Sequence, residues 1–477
     1  MHKNYIAGEW TQGVSAKANI NPSDTDDVVG HYAQADEAQT AQATDAACEA
    51  QPAWRSATAE RRADALERIG SEILSRADEL GRLLSREEGK TLAEGIGEVV
   101  RAGRVFRFFS GEALRLGGER LPSIRAGVDV EVTREPEGVI GVITPWNFPI
   151  AIPAWKIAPA LAYGNAVVFK PADLVPASAW ALSEIIARVG QLPPGTFNLV
   201  MGRGATVGRT LSASQKVNAV TFTGSESAGR QIGMACMERG AKVQLEIGGK
   251  NPLIVLNDAD LDVAVSTAIN GAFFSTGQRC TGSSRLIVQS DMHDRFVAAM
   301  RERLSALRVD HALKSGTDIG PVVSQGQLEQ DCEYIALARS EGGTVVFGGE
   351  LLQRETPGYY LSPALITDTH NQMRVNREEI FGPVATVIRV DDYEAAVEVA
   401  NDTPFGLSSG ICTTSLKHAT DFKRRSTAGM VMVNLPTAGV DYHAPFGGRR
   451  GSSYGPREQG TYAREFYTSV KTTYTCA

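Results

Sequence analysis

The chain has 477 residues, a length that predicts two or three domains instead of one compact module. Hydrophobic residues make up 43% and charged residues 22%, as in soluble globular proteins, which excludes the disordered, collagenous and coiled-coil classes. The formal net charge of −7 argues against nucleic acid or an anionic membrane as a partner, so any bound anion must be held by local groups.

Six cysteines are spread along the chain without a C-x-x-C pair or a close histidine spacing that would indicate zinc. We therefore expect free thiols in a reducing compartment and no metal site. The amino terminus has no apolar run before a small-residue cleavage site, and the carboxyl terminus has no lipidation motif. These features predict a cytoplasmic protein.

The first part of the chain carries a helical pattern and then a strand pattern. Apolar residues recur every three or four positions between Ala57 and Lys90, which predicts one amphipathic helix. Valines alternate with polar residues from 128 to 133, which predicts a strand between Pro122 and Pro136. A lone hairpin is marginal in water, so we expect a protruding arm that pairs with another chain.

The apolar stretch from Val139 to Phe169 contains one formal charge, Lys156. Four prolines interrupt this stretch, which argues against a helix that spans a membrane. We expect a buried, irregular segment of a soluble protein, and such bent backbone often borders a site.

From residue 166 onward, short strand patterns and helix patterns alternate. Predicted strands lie at 167–169, 197–200, 217–222, 252–256, 285–288, 385–390 and 430–434, and predicted helices lie at 177–189, 226–239, 259–274, 291–307 and 393–401. This alternation is typical of parallel, doubly wound sheets. The sequence therefore predicts an α/β protein with two open sheets that face each other across a cleft.

Gly224 and Ser225 lie where a predicted strand passes into a predicted helix. Free backbone N–H groups and a hydroxyl at a helix amino terminus suit an anion such as pyrophosphate. The spacing does not match G-x-G-x-x-G, so the standard dinucleotide fingerprint is missing. An ordinary N-capped turn is an equal alternative.

Four further residues have settings that suit chemistry. Cys280 lies in a small polar loop beside Arg279, which favours the reactive thiolate, although a packed thiol is the commoner state. Glu246 ends an apolar strand before two glycines and suits either a general base or a salt-bridged strand end. Asn147 suits an oxyanion donor or an Asn turn. Lys170 ends a buried strand, either beside a ligand or in solvent.

Seven ordered blocks resemble the signatures of the aldehyde dehydrogenase superfamily over essentially the whole chain. They are Pro-Trp-Asn-Phe-Pro at 145–149, Lys-Pro-Ala at 170–172, Phe-Thr-Gly-Ser at 222–225, Leu-Glu-Ile-Gly-Gly-Lys-Asn-Pro at 245–252, Gly-Gln-Arg-Cys at 277–280, Glu-Glu-Ile-Phe-Gly-Pro at 378–383 and Pro-Phe-Gly-Gly at 445–448. The resemblance implies three units in a homodimer or homotetramer. A Rossmann-like cofactor domain is formed by residues 1–121 and 140–247, a catalytic domain by 248–460, and a β-hairpin oligomerisation arm by 122–139 and 461–477.

The resemblance implies the oxidation of a small-molecule aldehyde to a carboxylic acid with NAD or NADP. Cys280 is implied as the nucleophile that forms a thiohemiacetal and then a thioester, while Asn147 and the Cys280 N–H hold the oxyanion. Glu246 is implied as the base that activates the hydrolytic water, and Lys170 is a further implied catalytic residue. The presence of Glu246 favours hydrolysis over transfer of the acyl group to coenzyme A.

For the cofactor, the resemblance implies that Ser225 contacts the pyrophosphate, Lys170 the adenine ribose, and Glu379 the nicotinamide ribose beside Phe381. The other implied cofactor residues are Ile143, Thr144, Pro145, Trp146, Ala172, Gly202, Phe222, Thr223, Gly224 and Gly248. Asp173 matches the place where members that strongly prefer NAD have a longer glutamate. The shorter carboxylate repels a 2′-phosphate less, so we expect NAD preference with some use of NADP.

Arg279 resembles an arginine of members that oxidise aldehydes with an anionic tail, and an internal salt bridge is its alternative role. The other implied substrate residues are Phe148, Trp155, Thr281 and Phe446. The sequence looks most like bacterial dehydrogenases of α-ketoglutaric semialdehyde (2,5-dioxopentanoate), with succinate semialdehyde or another aliphatic or aromatic aldehyde as alternatives. A non-redox cysteine hydrolase would instead need a Cys–His pair, for which His443 is the nearest candidate.

Overall fold

A computed structural model describes residues 1–476. The strands are Asn4–Ile6 (β1), Glu9–Thr11 (β2), Ser15–Asn21 (β3), Asp24–Gln34 (β4), Glu119–Pro122 (β5), Val128–Pro136 (β6), Val139–Ile143 (β7), Ala166–Lys170 (β8), Phe197–Leu199 (β9), Ala219–Gly224 (β10), Lys242–Ile247 (β11), Asn251–Val255 (β12), Ser283–Gln289 (β13), Thr344–Phe347 (β14), Ala364–Thr369 (β15), Val384–Val390 (β16), Ser408–Cys412 (β17), Met430–Val433 (β18), Ser453–Tyr454 (β19) and Thr468–Cys476 (β20).

The α-helices follow the same order along the chain. They are Glu37–Arg55 (α1), Ala59–Ser75 (α2), Ala77–Glu88 (α3), Leu92–Leu114 (α4), Ala151–Ala162 (α5), Pro176–Val189 (α6), Arg209–Ala213 (α7), Glu226–Glu238 (α8), Leu261–Phe273 (α9), Ser290–Ser305 (α10), Gln325–Ser340 (α11), Arg374–Arg377 (α12), Tyr393–Asn401 (α13), Leu416–Arg425 (α14) and Arg464–Tyr467 (α15).

Two open sheets form the framework, which confirms the predicted α/β architecture. The first has the strand order β19-β11-β10-β7-β8-β9-β1-β2, and its five central strands, β11 to β9 in that order, are parallel. The second has the order β14-β15-β16-β13-β12-β17-β18 and is parallel except for β14. Every residue of β7 and β8 is buried, because helices cover both faces of a parallel sheet.

Strand β19 lies within the predicted catalytic segment 248–460, yet it pairs with β11 of the first sheet, Leu245 opposite Tyr454 and Glu246 opposite Ser453. That segment therefore crosses back to the first sheet before residue 460. The last part of the segment therefore brings its side chains beside residues of the first sheet.

The predicted arm forms a three-stranded sheet in the order β20-β6-β5. Strand β6 pairs in antiparallel register with the carboxyl-terminal strand of its own chain, from Thr468 opposite Pro136 to Cys476 opposite Val128. Pairing of the whole arm with another chain stays a prediction. Three strands satisfy the hydrogen bonds that a lone hairpin leaves open. All residues of β20 after the first are exposed.

The single helix expected over 57–90 is wrong, because this segment forms the two helices α2 and α3. Arg76 separates them with non-helical backbone angles, φ −106° and ψ 21°. Its guanidinium pairs with Glu79 in α3 and with Glu184 in α6, at 2.7 and 2.8 Å. The break lets both helices follow the curved surface of the core while the hydrophobic period continues through it.

The segment 139–169 is more regular than expected, since Ala151–Ala162 forms the helix α5 with every residue buried. Pro153 lies in the first turn, where a missing N–H removes no helical hydrogen bond. Helix α4 packs against α2 and α5 and carries polar side chains toward the cleft. Among residues 1–476, no helix is long and apolar enough to cross a membrane.

Candidate active site

A cleft of about 330 Å³ opens at the carboxyl ends of β7, β10 and β11, the edge where open α/β sheets bind ligands. It is lined by Pro145, Trp146, Asn147, Thr223, Gly224, Ser225, Gly248, Cys280, Gln327, Gln330, Glu379 and Phe381. All but two of these residues belong to the predicted set. Gln327 and Gln330 were missed, because they lie on α11 and no local motif marks them.

The backbone before Cys280 is an unusual turn. Ser275, Thr276 and Gly277 all adopt left-handed conformations, with φ of 51°, 57° and 67°. Such angles cost a non-glycine residue free energy, so they persist only where other contacts enforce them. The Glu94 carboxylate accepts hydrogen bonds from the Ser275 N–H and hydroxyl at 2.7 and 3.0 Å. The turn is therefore fixed from outside by helix α4.

The Cys280 thiol is half-buried at the end of this turn. Desolvation raises its pKa to about 12, and the nearby charges of Glu379 and Glu246 act in the same direction. The backbone N–H groups of Thr281 and Cys280 oppose the rise. In the free protein the sulfur is therefore protonated at neutral pH, and those N–H groups are already placed to stabilise the anion.

Glu246 lies near the end of β11 with its side chain buried. The Ser453 hydroxyl of β19 donates to its Oε2 at 2.6 Å. Desolvation raises the pKa of Glu246 well above the usual range, and the charge of Glu458 raises it further. A carboxyl with a raised pKa at the edge of the site suits a general base, as the sequence predicted.

Glu458 belongs to a buried network that sequence reasoning missed. Its carboxylate pairs with Lys156, and the Trp155 indole donates to it at 2.6 Å. The Lys156 ammonium also donates to the Thr221 hydroxyl at 2.8 Å. Lys156 and Glu458 are about 300 residues apart in the chain, so no local pattern could have linked them.

Asn147 is buried beside the nucleophile loop. Its side-chain N–H donates to the backbone carbonyl of Gln278, two residues before Cys280, at 2.9 Å. This hydrogen bond fixes the Asn147 carboxamide against the nucleophile loop. The Asn251 side chain donates to the Cys280 carbonyl at 2.8 Å. The second Asn147 hydrogen and the Cys280 N–H together form the kind of donor pair that stabilises an oxyanion.

The carboxyl end of β10 has the features of an anion site. Ser225 is the N-cap of α8, and its side chain makes no capping hydrogen bond. The hydroxyls of Thr223 and Thr144 are buried without a partner. A Cβ on Gly224 would lie 2.6 Å from the Phe222 ring, so only glycine fits this turn. Unpaired donors beside a helix amino terminus fit the phosphates of a dinucleotide.

Lys170 and Asp173 lie at the end of β8 and in the loop that follows it. Burial lowers the pKa of Lys170 to about 8, against the opposing charge of Asp173. Asp173 is bound by Lys17 of β3 at 2.5 Å. Lys17 is therefore a cation beside Asp173 that the sequence did not reveal, and a role of Asp173 at the ribose stays a prediction.

Glu379 lies over the glycine pair that follows β11. Its Oε1 accepts a hydrogen bond from the Gly249 N–H at 2.9 Å, and a Cβ on Gly248 would overlap the carboxylate. Desolvation raises the pKa of Glu379 to about 7. Phe381 has a left-handed φ of 69°, and its ring meets the Trp146 ring edge-on at 5.3 Å.

The remaining predicted cofactor residues support this edge of the first sheet. Ile143 ends β7, and its side chain lies close to Gly208. Gly202 has φ 157° beside Val207, and Ala172 follows β8. These three residues do not line the cleft itself.

Three of the predicted substrate residues are aromatic, and each has its ring in contact with another side chain. The rings of Trp155 and Phe446 are tilted against each other at 5.6 Å, and Lys90 lies 3.6 Å above the Phe148 ring. Thr281 is buried, and its carbonyl accepts the Thr437 hydroxyl at 2.6 Å.

Arg279 has the internal salt bridge that was given as its alternative role, and contact of Arg279 with the far charge of a substrate stays a prediction. Its guanidinium is directed toward Glu94 at 3.4 Å and toward the carbonyl and side-chain oxygens of Asn270 at 3.3 Å each. Burial lowers its pKa, and the Glu94 carboxylate opposes that shift. The geometry supports the internal ion pair, because the left-handed turn carries the side chain back toward α4.

Comparisons with known proteins agree with this geometry. The model of the aldehyde dehydrogenase family matches residues 10–473. Alpha-ketoglutaric semialdehyde dehydrogenase of Bacillus subtilis is 42% identical, covering 99% of this chain and 97% of that protein. Alpha-ketoglutarate semialdehyde dehydrogenase of Haloferax volcanii is 40% identical, covering 99% and 98%. The crystal structure of betaine aldehyde dehydrogenase from Staphylococcus aureus with NAD+ has a TM-score of 0.97 at 32% identity, covering 100% and 95%. The chain belongs to the aldehyde dehydrogenase family.

Proposed function

We propose that this protein oxidises a semialdehyde with an anionic tail, 2,5-dioxopentanoate, to the dicarboxylate 2-oxoglutarate with NAD+. The observation that carries the proposal is the Cys280 thiol on its enforced turn, electrostatically coupled to the Glu246 carboxyl and flanked by backbone N–H groups. The semialdehyde names of the two relatives support the substrate class.

In the proposed reaction the Cys280 thiol loses its proton to solvent water, and the sulfur adds to the aldehyde carbon while the carbonyl oxygen becomes an oxyanion. The Cys280 N–H and the Asn147 carboxamide donate to that oxygen. A bound nicotinamide would supply the hydride acceptor, so that the tetrahedral carbon on Cys280 could lose hydride to it and become a thioester. Glu246 then takes a proton from the water that attacks the thioester, so the carboxylic acid forms as the sulfur leaves.

The residues that would hold the cofactor are those of the unpaired edge. Ser225 and Thr223 offer hydroxyls to the phosphates, and Lys170 and Asp173 lie where the adenosine end would follow. Glu379 is placed to accept hydrogen bonds from a ribose in place of the Gly249 N–H. If the adenosine end binds beside Asp173, Lys17 would offer a cation to a 2′-phosphate, which supports secondary use of NADP.

A cysteine hydrolase is the alternative outside redox chemistry. It would require a histidine that accepts the Cys280 proton. Among residues 1–476 no histidine is hydrogen-bonded to Cys280, and the nearest candidate, His443, is exposed on a surface loop. The site therefore favours the dehydrogenase.

The test measures the absorbance of reduced cofactor with NAD+ and a panel of aldehydes, for the wild type and for Cys280→Ala. The panel contains 2,5-dioxopentanoate, succinate semialdehyde and pentanal. We expect turnover by the wild type, highest kcat/KM for 2,5-dioxopentanoate, and a loss on the order of 10⁴-fold or more in the variant. Absence of reduced cofactor with every aldehyde would contradict the proposal, and a preference for succinate semialdehyde would correct the substrate.

We also propose that residues 1–121 and 140–247 bind the cofactor, that 248–460 carry the nucleophile, and that the arm mediates a homodimer or homotetramer in the cytoplasm. Support for the arm comes from exposed apolar side chains, namely Ile124 in the turn between β5 and β6 and Val470 and Tyr474 on β20. Light scattering on the full chain tests it. A purely monomeric mass at micromolar concentration would contradict it.

A further inference from the structure

We propose that Arg101, supported by Gln459, is the residue that binds the remote carboxylate of the substrate. The inference rests on the proposed function, since it assumes an aldehyde with an anionic tail. Arg101 belongs to no block of the sequence that pointed to the site. It lies in the middle of α4, the helix that packs against α5.

Arg101 stands over the pair of aromatic rings formed by Trp155 and Phe446. Its guanidinium carbon lies 5.5 Å from the centre of the Trp155 ring, which in turn packs on Phe446. Burial lowers the pKa of Arg101, and the charges of Glu98, Cys280 and Asp441 oppose that shift. A substrate whose aldehyde carbon sits on Cys280 and whose methylenes lie on Trp155 would carry its far end toward this guanidinium.

The hydrogen bonds of this pair are incomplete. Arg101 Nη2 donates to the Gln459 side-chain oxygen at 3.1 Å, which also fixes the orientation of that amide. Arg101 Nε and Gln459 Nε2 are both buried donors without an acceptor. Gln459 itself is fully buried, with a left-handed φ of 61°. Two neighbouring unpaired donors call for an acceptor with two oxygens, and a carboxylate supplies them.

Among residues 1–476, no carboxylate takes that place. Glu98, one turn earlier on α4, already accepts Lys90 at 2.7 Å on one oxygen. Its other oxygen accepts the N–H groups of Ile150 and Ala151 at 2.9 and 3.1 Å. Asp441 is the other acidic group that acts on Arg101, and it is exposed to solvent. Within residues 1–476, Arg101 thus forms no ion pair, whereas Lys90 is neutralised by Glu98 and Arg279 by Glu94.

The test compares kcat and KM for 2,5-dioxopentanoate and for pentanal, an uncharged aldehyde of equal carbon number, in Arg101→Met. Loss of a buried, charge-assisted hydrogen bond corresponds to about 10- to 100-fold. We expect the ratio of kcat/KM for 2,5-dioxopentanoate to kcat/KM for pentanal to fall by that factor. The fall should come from a higher KM for 2,5-dioxopentanoate. Arg101→Lys keeps the charge and should restore part of the ratio. Gln459→Leu should lower the ratio less than Arg101→Met.

Two matched controls separate the alternatives. Arg104→Met removes an exposed arginine one turn later on the same helix and should leave the ratio unchanged. Arg279→Met removes the internally paired arginine and should affect both aldehydes to the same degree. Equal losses for both aldehydes in Arg101→Met would show a structural role and overturn the inference. No oxidation of either aldehyde by the wild type would instead overturn the proposed function.

Discussion

The turn before Cys280 and the strand end before Ser225 meet at one cleft, but they differ in how fully their polar groups are paired. The first is enforced: Ser275 is bound twice by Glu94, and Asn251 holds the Cys280 carbonyl. The second is open, with an unpaired Thr223 hydroxyl and a Ser225 side chain that caps nothing. Groups that set the reaction geometry are therefore held by hydrogen bonds in the free protein, whereas groups that would bind the ligand are left without hydrogen-bond partners.

Among the variants that compare these two regions, we expect the largest effect from replacement of the proposed base, Glu246. Its loss should slow hydrolysis of the thioester without slowing formation of the thioester. Glu246→Gln removes the carboxylate but keeps its size and its contact with the Ser453 hydroxyl. We expect steady-state turnover to fall by about 10²- to 10⁴-fold, while the first equivalent of reduced cofactor still forms as a rapid burst. Stopped-flow absorbance checks this. Loss of burst and steady state to the same degree would assign Glu246 to an earlier step.

The enforced turn can be loosened through Glu94, which both caps α4 and holds Ser275. In Glu94→Gln one oxygen is replaced by an amide donor, so part of this network is lost. We expect kcat to fall by about 10- to 100-fold through misplacement of Cys280, and the free energy of unfolding to fall by about 1–3 kcal/mol.

Glu60→Gln is the matched control, since Glu60 is an exposed glutamate in the first turn of α2. It should leave kcat unchanged and alter stability by a few tenths of a kcal/mol, as roughly expected for a helix-dipole contact. An unchanged kcat in Glu94→Gln would show that the turn keeps its geometry without this clamp.

The electrostatic link between the two regions is Glu379. Its charge helps to raise the pKa of Cys280 to about 12, so Glu379→Gln should lower that pKa and speed alkylation of Cys280 by iodoacetamide. The pKa of Glu379 is raised to about 7, so the carboxylate is charged only above that pH. We therefore expect an acceleration of up to about tenfold at alkaline pH, which disappears on the acidic side of neutrality. Equal rates across the pH range would contradict the coupling.

The smallest effect concerns the adenosine end of the open region. Lys17→Ala leaves Asp173 without its cation, so a 2′-phosphate would meet an unpaired carboxylate. Because this pair is partly exposed, we expect the kcat/KM ratio of NADP to NAD to fall only about two- to fivefold. Lys17→Arg should keep the ratio. A rise in the ratio would show that Lys17 does not face the phosphate.

The sequence predicted most elements of the two sheets because strand and helix periods are local. It failed where tertiary contacts decide: Arg76 breaks a continuous helical pattern, and α5 forms in spite of its prolines. In the site, residues inside motifs, such as Cys280, were predicted from the sequence, and the structure brings them together at one cleft.

Residues paired across long separations were not found. Arg101 and Gln459 are 358 positions apart, and Lys17 and Asp173 are 156 apart. Each of these side chains alone is of a type that is common on protein surfaces. Only the folded structure shows which hydrogen bonds its partner satisfies and which remain unsatisfied.

The central claim is that Cys280 carries the acyl group that Glu246 then releases. The most direct measurement is mass spectrometry of Glu246→Gln after incubation with 2,5-dioxopentanoate and NAD+. We expect an acyl adduct on the peptide that contains Cys280, and we expect no adduct when NAD+ is omitted. An unmodified Cys280 after a full burst of reduced cofactor, or an adduct on another of the six cysteines, would contradict it.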